Sequence, residues 1–375
     1  MPASVLEAHA KPETRKAIRC VDCDIHQFGP GKSDMLKHLP KAWHERYGTG
    51  AGTGHLGFHN PVGVTRRDCV SADGKHGAAS PKGLAEHLLD PYEIDIGILT
   101  GGVYNMGVHP DPDYADAVCS AYNAAVLETW IPEDDRLRFA LSISTRDAAL
   151  TAKEIRRHAG HPKVVAAIAG SACTSPLGQR QFLPIMEACE ETGLPLMLHP
   201  GAEGTGICPP PTACGYPTRY LEWHTDIIQS FQTHVVSLVC EGVFQKFPKL
   251  KVVLVEGGIS WLVPLMWRFD KNWKALRSTV PWLDRKPSEV IQEHFLLTTQ
   301  PIEEPDNHEH LIQLFNMFDA KNMLMFASDF PHWDGDTPNF ALRGFPDEFK
   351  QRVKAQNAID LFRLQSESPL RNAKS

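Results

Sequence analysis

Eight short apolar runs, each of a length that suits a buried strand, recur along the 375-residue chain. Longer segments with helical spacing of apolar residues lie between most of them. Strands that alternate with helices indicate a parallel sheet, and eight such units predict a closed (β/α)8 barrel that spans residues 1–375 as one domain. An open doubly wound sheet is the alternative. The predicted strands are Ile18–Ile25, Ile94–Thr100, Leu137–Ser142, Val164–Ala169, Leu194–Leu198, Lys251–Val255, Phe295–Thr298 and Met323–Ala327.

The segments between these runs predict long helices on the outside of the barrel. Their apolar residues recur every three or four positions, which is typical of a helix with one buried face. The clearest cases are Tyr114–Trp130, Ala148–His158, Gln181–Thr192, Thr225–Phe244 and Asn307–Phe318.

One long segment interrupts this rhythm directly after the first predicted strand. Residues 27–90 are rich in glycine and histidine and contain "GTGAGTGHLG" and "RRDCVSADGKHG". Loops that follow the strands of a parallel barrel lie at the face where active sites are built. We therefore expect this insertion to shape a substrate pocket, although a surface excursion without chemistry is the alternative.

Composition excludes several classes of protein. The net charge is −7 and the basic residues are scattered, so a nucleic-acid partner is not expected. No run of about 18 apolar residues predicts a membrane span. The nine cysteines are odd in number and widely spaced, and the N-terminal segment is too charged for a secretory signal, so we expect a reduced, cytoplasmic protein.

The first predicted strand ends in "DCDIH", which places two carboxylates and an imidazole close together. Alternate residues of a strand point to the same side, so Asp22, Asp24 and His26 are expected to share one face. Burying these polar groups is costly unless another group compensates for them. A metal ion is the predicted compensation.

Three further strands end in residues of the same chemical type. The fifth ends at His199 in "LMLHPG", the sixth at Glu256 in "VVLVEGG", and the eighth at Asp329 and His332 in "LMFASDFPH". The carboxyl ends of the strands of a closed barrel converge, so these residues are expected to be neighbours. Imidazole and carboxylate ligands together suit Zn²⁺, and also Mn²⁺.

Each of these residues also has a structural alternative. His26 and His199 could be buried histidines whose hydrogen bonds go to the backbone. Asp329 could cap a turn, and Asp24 could orient His26 without binding metal. Glu256 could be a structural hydrogen-bond acceptor rather than a participant in the chemistry.

Several segments together resemble the amidohydrolase superfamily, in particular its aminocarboxymuconate semialdehyde decarboxylase-like branch. They are "DCDIH", "LPLMLHPG", "FQKFPKLKVVLVEGGISWLVPLMWRFDKNW", "LTTQP" and "MLMFASDFPHWDGD", and the resemblance extends from about Ile18 to Phe362. It implies a metal-dependent barrel and a homodimer. The metal ligands that it implies are Asp24, His26, His199 and Asp329.

The chain departs from this branch at two positions. Members usually carry His-x-His or Glu-x-His on the first strand, whereas Asp24 supplies a shorter carboxylate here. The decarboxylases place a catalytic histidine in a His-Gly-Gly turn after the sixth strand, and Glu256 stands in its place. Glu256 is therefore expected to act as a base, a further ligand or a substrate contact.

Other polar residues are candidates for binding substrate. A guanidinium group pairs well with a carboxylate, so Arg66, Arg67 and Arg219 are possible anchors for an anionic substrate, with solvated loop charges as the alternative. His332 is expected to contact substrate or to cap a turn. The remaining histidines of interest are expected to be ordinary helix or strand residues: His224, His234 and His294.

These observations predict a metal-dependent hydrolase that acts on a small organic amide, ester, lactone or carbon–carbon-bonded carbonyl compound. A metal-bound water would attack the substrate, with Asp329 or Glu256 taking the proton. The alternatives are non-oxidative decarboxylation of an aromatic or enoic acid, hydration of a double bond, and a metal-binding scaffold without turnover.

Overall fold

The computed structural model describes residues 16–48, 65–71, 74–364 and 367–368. Its main sheet has eight parallel strands, and each strand pairs with the next one along the chain. This arrangement confirms the predicted (β/α)8 barrel. The strands are Val21–Ile25, Ile96–Leu99, Leu137–Ser142, Val164–Gly170, Leu196–His199, Val252–Leu254, Phe295–Thr298 and Leu324–Met325.

Hydrogen bonds between the first and eighth strands bring the two ends of the sheet together. The Cys23 amide donates to the Phe326 carbonyl at 3.0 Å, and the His26 amide donates to the Phe330 carbonyl at 2.8 Å. The second bond lies at the carboxyl ends of the strands. Closure of the barrel therefore holds the backbone of His26 beside the segment that carries Asp329.

Helices surround the barrel. Because all eight strands are parallel, their carboxyl ends lie at one face. Asp111 and Asp147 cap the two longest helices of the first half, and their carboxylates accept hydrogen bonds from the Tyr114 amide and from the Ala149 and Leu150 amides. The principal helices are Pro112–Thr129, Ala148–His158, Leu183–Thr192, Tyr220–Asp226, Ile228–Cys240, Leu262–Leu276, Pro287–His294 and His308–Phe315. Shorter helices are Lys32–His38, His44–Gly48, Pro81–Leu84, Val243–Lys246, Ala320–Met323, Asp347–Gln351 and Asn357–Phe362.

The segment after the first strand contacts the loop that follows the eighth. Thr65 forms an antiparallel bridge with His332, and the Arg66 amide donates to the Pro331 carbonyl at 2.8 Å. Of the insertion at residues 27–90 that is predicted to shape the pocket, residues 49–64 and 72–73 lie outside the described residues. The described part nevertheless joins the insertion to the eighth-strand loop.

A short antiparallel pair, Lys16–Ala17 with Glu367–Ser368, stands apart from the barrel. Within the described ranges, no helix has both the length and the apolar character that crossing a membrane requires. The cytoplasmic location and the homodimer stay predictions.

Asn123 ties a helix to the end of the third barrel strand. Its side-chain oxygen accepts from the Ser142 amide at 2.8 Å, and its side-chain nitrogen donates to the Ser142 carbonyl at 3.0 Å. Asn123→Ala leaves both buried backbone groups without partners, so we expect it to lower the free energy of unfolding by about 2 to 4 kcal/mol. Urea denaturation followed by circular dichroism measures this change. The exposed Lys153→Ala on the next helix is the control, and equal stability of the two variants would contradict the prediction.

Candidate active site

Five ligand-type side chains converge at the carboxyl ends of the barrel strands. One ligand atom of each lies within 4.8 Å of one ligand atom of every other. Four of the five are fully buried and one is partly buried. We call this set the five-residue cluster: Asp24, His26, His199, Glu256 and Asp329.

Short distances across the cluster join residues that are far apart in sequence. His26 Nε2 lies 3.1 Å from Asp329 Oδ1, 3.3 Å from Asp24 Oδ1 and 3.1 Å from His199 Nε2. His199 Nε2 lies 2.9 Å from Glu256 Oε2. The strand-end residues predicted to be neighbours are therefore brought together. Their individual roles as metal ligands stay predictions.

Asp22 was expected to share a face with Asp24 and His26, but its side chain binds backbone amides instead of joining them. Its Oδ1 accepts hydrogen bonds from the Ser328 amide at 2.9 Å and from the Asp24 amide at 3.2 Å. It lies outside the five-residue cluster. Asp22 thus connects the backbone of the first strand to the segment that leads into Asp329.

The backbone is strained at the two carboxylates that follow the sixth and eighth strands. Glu256 has φ 56° and Asp329 has φ 55°. Both values fall in the left-handed region, which residues other than glycine rarely adopt. Such strain costs of order 1 kcal/mol or more per residue and concentrates at functional sites. In this protein the strain occurs at Glu256 and Asp329, the two cluster residues that follow the sixth and eighth strands.

Neighbouring groups fix the orientation of the cluster. His199 Nδ1 lies 2.6 Å from the Pro200 carbonyl, which can only accept a hydrogen bond, so Nδ1 donates there and Nε2 is the atom left to bind a metal. The Tyr104 ring stacks on the His199 ring with centroids 4.7 Å apart. The Thr100 hydroxyl donates to Asp24 Oδ1.

The donor set fits a divalent metal ion. Asp24 Oδ2 and Asp329 Oδ2 are buried and have no hydrogen-bond partner in the described structure. Burying two such carboxylates is costly, and a cation between them compensates for that cost. Two imidazole nitrogens and three carboxylates suit Zn²⁺ or Mn²⁺. The cluster is therefore a metal-binding site, and the identity of its metal stays a prediction.

The charges of the cluster change one another's pKa values. Burial alone would lower the pKa of His26, but the Asp24 and Asp329 carboxylates outweigh it and raise this pKa to about 10. Burial alone would raise the pKa of Asp24, but His26 and His199 hold it below its usual range. A metal must displace protons from the imidazoles, so its affinity is expected to fall as the pH falls.

A cavity of 330 Å³ opens above the cluster, and several of its wall residues are aromatic. His332 lies in this wall, and its Nδ1 is 2.7 Å from Asp329 Oδ1. Burial alone would lower the pKa of His332, but the Asp329 carboxylate outweighs it and raises this pKa above its usual value. The further wall residues that bear on substrate binding are Tyr104, Tyr220, Trp223, His224, Trp333 and Asp334.

The three arginines predicted to anchor an anionic substrate are not among the described residues that line this cavity. Arg66 pairs with Asp68 at 2.6 Å, while Arg67 and Arg219 are exposed. Their role in substrate binding stays a prediction.

Two wall residues that were not predicted to belong to the site form a separate polar pair. Asp334 Oδ2 lies 3.7 Å from His224 Nε2, and His224 had been expected to be an ordinary helix residue. Burial raises the pKa of Asp334 to about 6, and the Asp329 and Glu256 carboxylates add to this rise. The "HWDGD" that follows Asp329 was the available signal for Trp333 and Asp334, but nothing in the sequence indicated that His224 lies opposite them.

Comparison with known proteins establishes the family. The family described as Amidohydrolase matches residues 34–364, and the chain therefore belongs to it. This membership confirms the resemblance seen in the sequence motifs.

The relatives of known activity are decarboxylases. A γ-resorcylate decarboxylase from Polaromonas sp. (strain JS666 / ATCC BAA-500) is 24% identical over 294 residues, which cover 74% of this chain and 86% of the relative. The prediction of a hydrolase is therefore not confirmed, and the decarboxylase alternative fits this relative better.

Two solved structures share the fold. An amidohydrolase from Mycobacterium avium subsp. paratuberculosis K-10 has a TM-score of 0.69 and 18% identity, with 92% of this chain and 99% of that chain covered. A dihydroxybenzoic acid decarboxylase from Polaromonas sp. JS666, with bound manganese and the inhibitor 2-nitroresorcinol, has a TM-score of 0.66 and 18% identity, with 92% and 97% covered.

Two aspartates on the first strand provide a matched test of the metal site. We expect Asp24→Asn to weaken metal binding by more than about tenfold. The loss of a residue that only hydrogen-bonds to a metal ligand already costs about tenfold, and Asp24 is itself a predicted ligand. Asp22→Asn is the control, since Asp22 lies outside the cluster and burial raises its pKa to about 7, so that Asn resembles its protonated form. Elemental analysis and titration of the metal-free protein with Zn²⁺ and Mn²⁺ measure both. Equal affinities in the two variants would contradict the assignment of Asp24.

Proposed function

We propose that this protein is a divalent-metal-dependent, non-oxidative decarboxylase of a hydroxylated aromatic carboxylic acid. The observation that carries the proposal is the five-residue cluster at the base of a cavity with aromatic walls. The similarity to γ-resorcylate decarboxylase supports this reaction over the others.

The bound metal would supply positive charge to hold the carboxylate and an adjacent hydroxyl oxygen of the substrate. Asp24, His26, His199 and Asp329 are the proposed ligands, with Glu256 as a fifth. The walls of the cavity would hold the aromatic ring and exclude water from it. Tyr104 and Trp223 are placed in these walls, and flat side chains of this kind pack against a substrate ring.

The reaction needs one proton at the ring carbon that loses its carboxylate. The carbon–carbon bond breaks, its electron pair stays on the ring carbon and takes up the proton, and carbon dioxide leaves. His332 lies in the cavity wall and contacts Asp329, so we assign this pair to hold and deliver the proton. Glu256 stands where the decarboxylases carry a catalytic histidine, and we assign its carboxylate to the metal.

Hydrolysis is the second candidate, and Glu256 is the observation that favours it. A carboxylate at this position can accept a proton from an attacking water, and it partly faces the cavity. In that reaction Glu256 would be the base, and the substrate would be a small ester, lactone or amide.

Incubation of the manganese-loaded protein with 2,6-dihydroxybenzoate tests the first proposal. We expect carbon dioxide and resorcinol in equal amounts, and chelation of the metal should abolish both. Asp329→Asn should lower kcat by at least about 100-fold, because it removes both a ligand and the partner of the proton donor. Lys153→Ala, on an outer helix, is the control and should retain full activity.

The second candidate gives the contrasting result. If a panel of aryl esters and lactones incorporates ¹⁸O from labelled water into the acid product while no hydroxybenzoate loses carbon dioxide, decarboxylation is wrong and hydrolysis stands.

A further inference from the structure

The charges around the cavity are predominantly negative. None of the described residues that line it is a lysine or an arginine. Asp24, Glu256 and Asp329 contribute carboxylates to the cluster, and Asp334 contributes a fourth in the wall. A divalent cation offsets two of these four charges, and a protonated His332 offsets a third. The cavity thus has one centre for an anionic group, which is the metal, and beyond it no described basic side chain except histidine.

Asp334 is held at a place separate from that centre. Its side chain is only 14% exposed, lies outside the five-residue cluster and faces His224 at 3.7 Å. It follows the eighth strand, whereas His224 belongs to the helix Tyr220–Asp226. The pair therefore lies in a part of the cavity wall that is separate from the metal cluster.

Aromatic rings surround this pair. The Tyr220 and Trp333 rings lie 5.5 Å and 5.8 Å from the His224 ring. The Asp334 side chain beside these rings is largely buried. A carboxylate that is shielded from most of the solvent accepts hydrogen bonds strongly and repels another carboxylate strongly.

We infer that the substrate is an aromatic acid with a single carboxylate and a neutral hydrogen-bond donor elsewhere on its ring, a hydroxyl or an amino group, which Asp334 accepts. This inference rests on the proposed function, because it takes the first carboxylate to be at the metal. Asp334 is then a specificity-determining residue that admits the donor and rejects an aromatic dicarboxylic acid. His224, from the helix Tyr220–Asp226, positions the Asp334 carboxylate.

Direct binding measurements on the manganese-loaded full chain test the inference. The probes are 2-hydroxybenzoates that carry hydrogen, hydroxyl, amino or carboxylate at ring position 4 or 5, and quenching of tryptophan fluorescence reports binding. At one of the two positions we expect hydroxyl or amino to bind at least about tenfold more tightly than carboxylate, because juxtaposed like charges are strongly unfavourable. The hydroxyl and amino probes show which donor the site prefers.

Asp334→Asn should reduce this preference to below about threefold by improving the binding of the dicarboxylates, since the repelling charge is gone. Asp336→Asn is the matched control, because Asp336 is also half-buried, lies two residues along and does not line the cavity. It should leave the preference unchanged. His224→Asn is a second variant, which should lessen the preference for hydroxyl over hydrogen while dicarboxylates remain excluded.

Three results would overturn the inference: dicarboxylates that bind as tightly as the hydroxy acids, an unchanged preference in Asp334→Asn, or no binding of any probe. The outcome is separable from that of the proposed function. Release of carbon dioxide without the expected order of binding overturns the inference alone. The expected order of binding without release of carbon dioxide overturns decarboxylation alone.

Discussion

The structure depends on placing three carboxylates and two imidazoles within 4.8 Å of one another in the protein interior. Burying these carboxylates is costly, because they lose their hydration and repel one another, so protonated imidazoles or a bound cation must offset their charge. The barrel meets the geometric part of this requirement, since its strand ends converge on one small area. Metal binding meets the electrostatic part, so that site formation and occupancy by a cation are expected to be linked.

Glu256 stands where the family resemblance implies a catalytic histidine in the decarboxylases. It enters the cluster through a left-handed backbone conformation, as Asp329 does. Its carboxylate lies 2.9 Å from His199 Nε2. At this distance Glu256 could bind the same metal ion as His199, or it could hydrogen-bond to His199. In the proposed decarboxylation the Glu256 carboxylate is assigned to the metal. Proton delivery is therefore proposed for His332, which lies in the cavity wall and contacts Asp329.

The substrate side of the site is built from segments that follow the strands. The eighth-strand loop contributes His332, Trp333 and Asp334 to the cavity wall, and the insertion after the first strand is tied to the same loop by the Thr65–His332 bridge. A rigid barrel thus holds the metal site, while its loops determine which molecule can approach it. The lack of a described lysine or arginine in the wall makes charge, as well as shape, part of the selection.

The sequence by itself predicted the barrel, and its eight apolar runs match the eight observed strands, because the alternation of strands with helices is a local pattern. It also predicted that Asp24, His26, His199, Glu256 and Asp329 would be neighbours at the strand ends, and they do lie together. The role of each as a metal ligand stays a prediction. Only the tertiary structure decided which polar neighbours stand outside the cluster. Asp22 binds the backbone of Ser328, Arg66 pairs with Asp68, and His224 lies beside Asp334 in the cavity wall. These pairings depend on loop conformation and on contacts between residues distant in the chain, which no local pattern specifies.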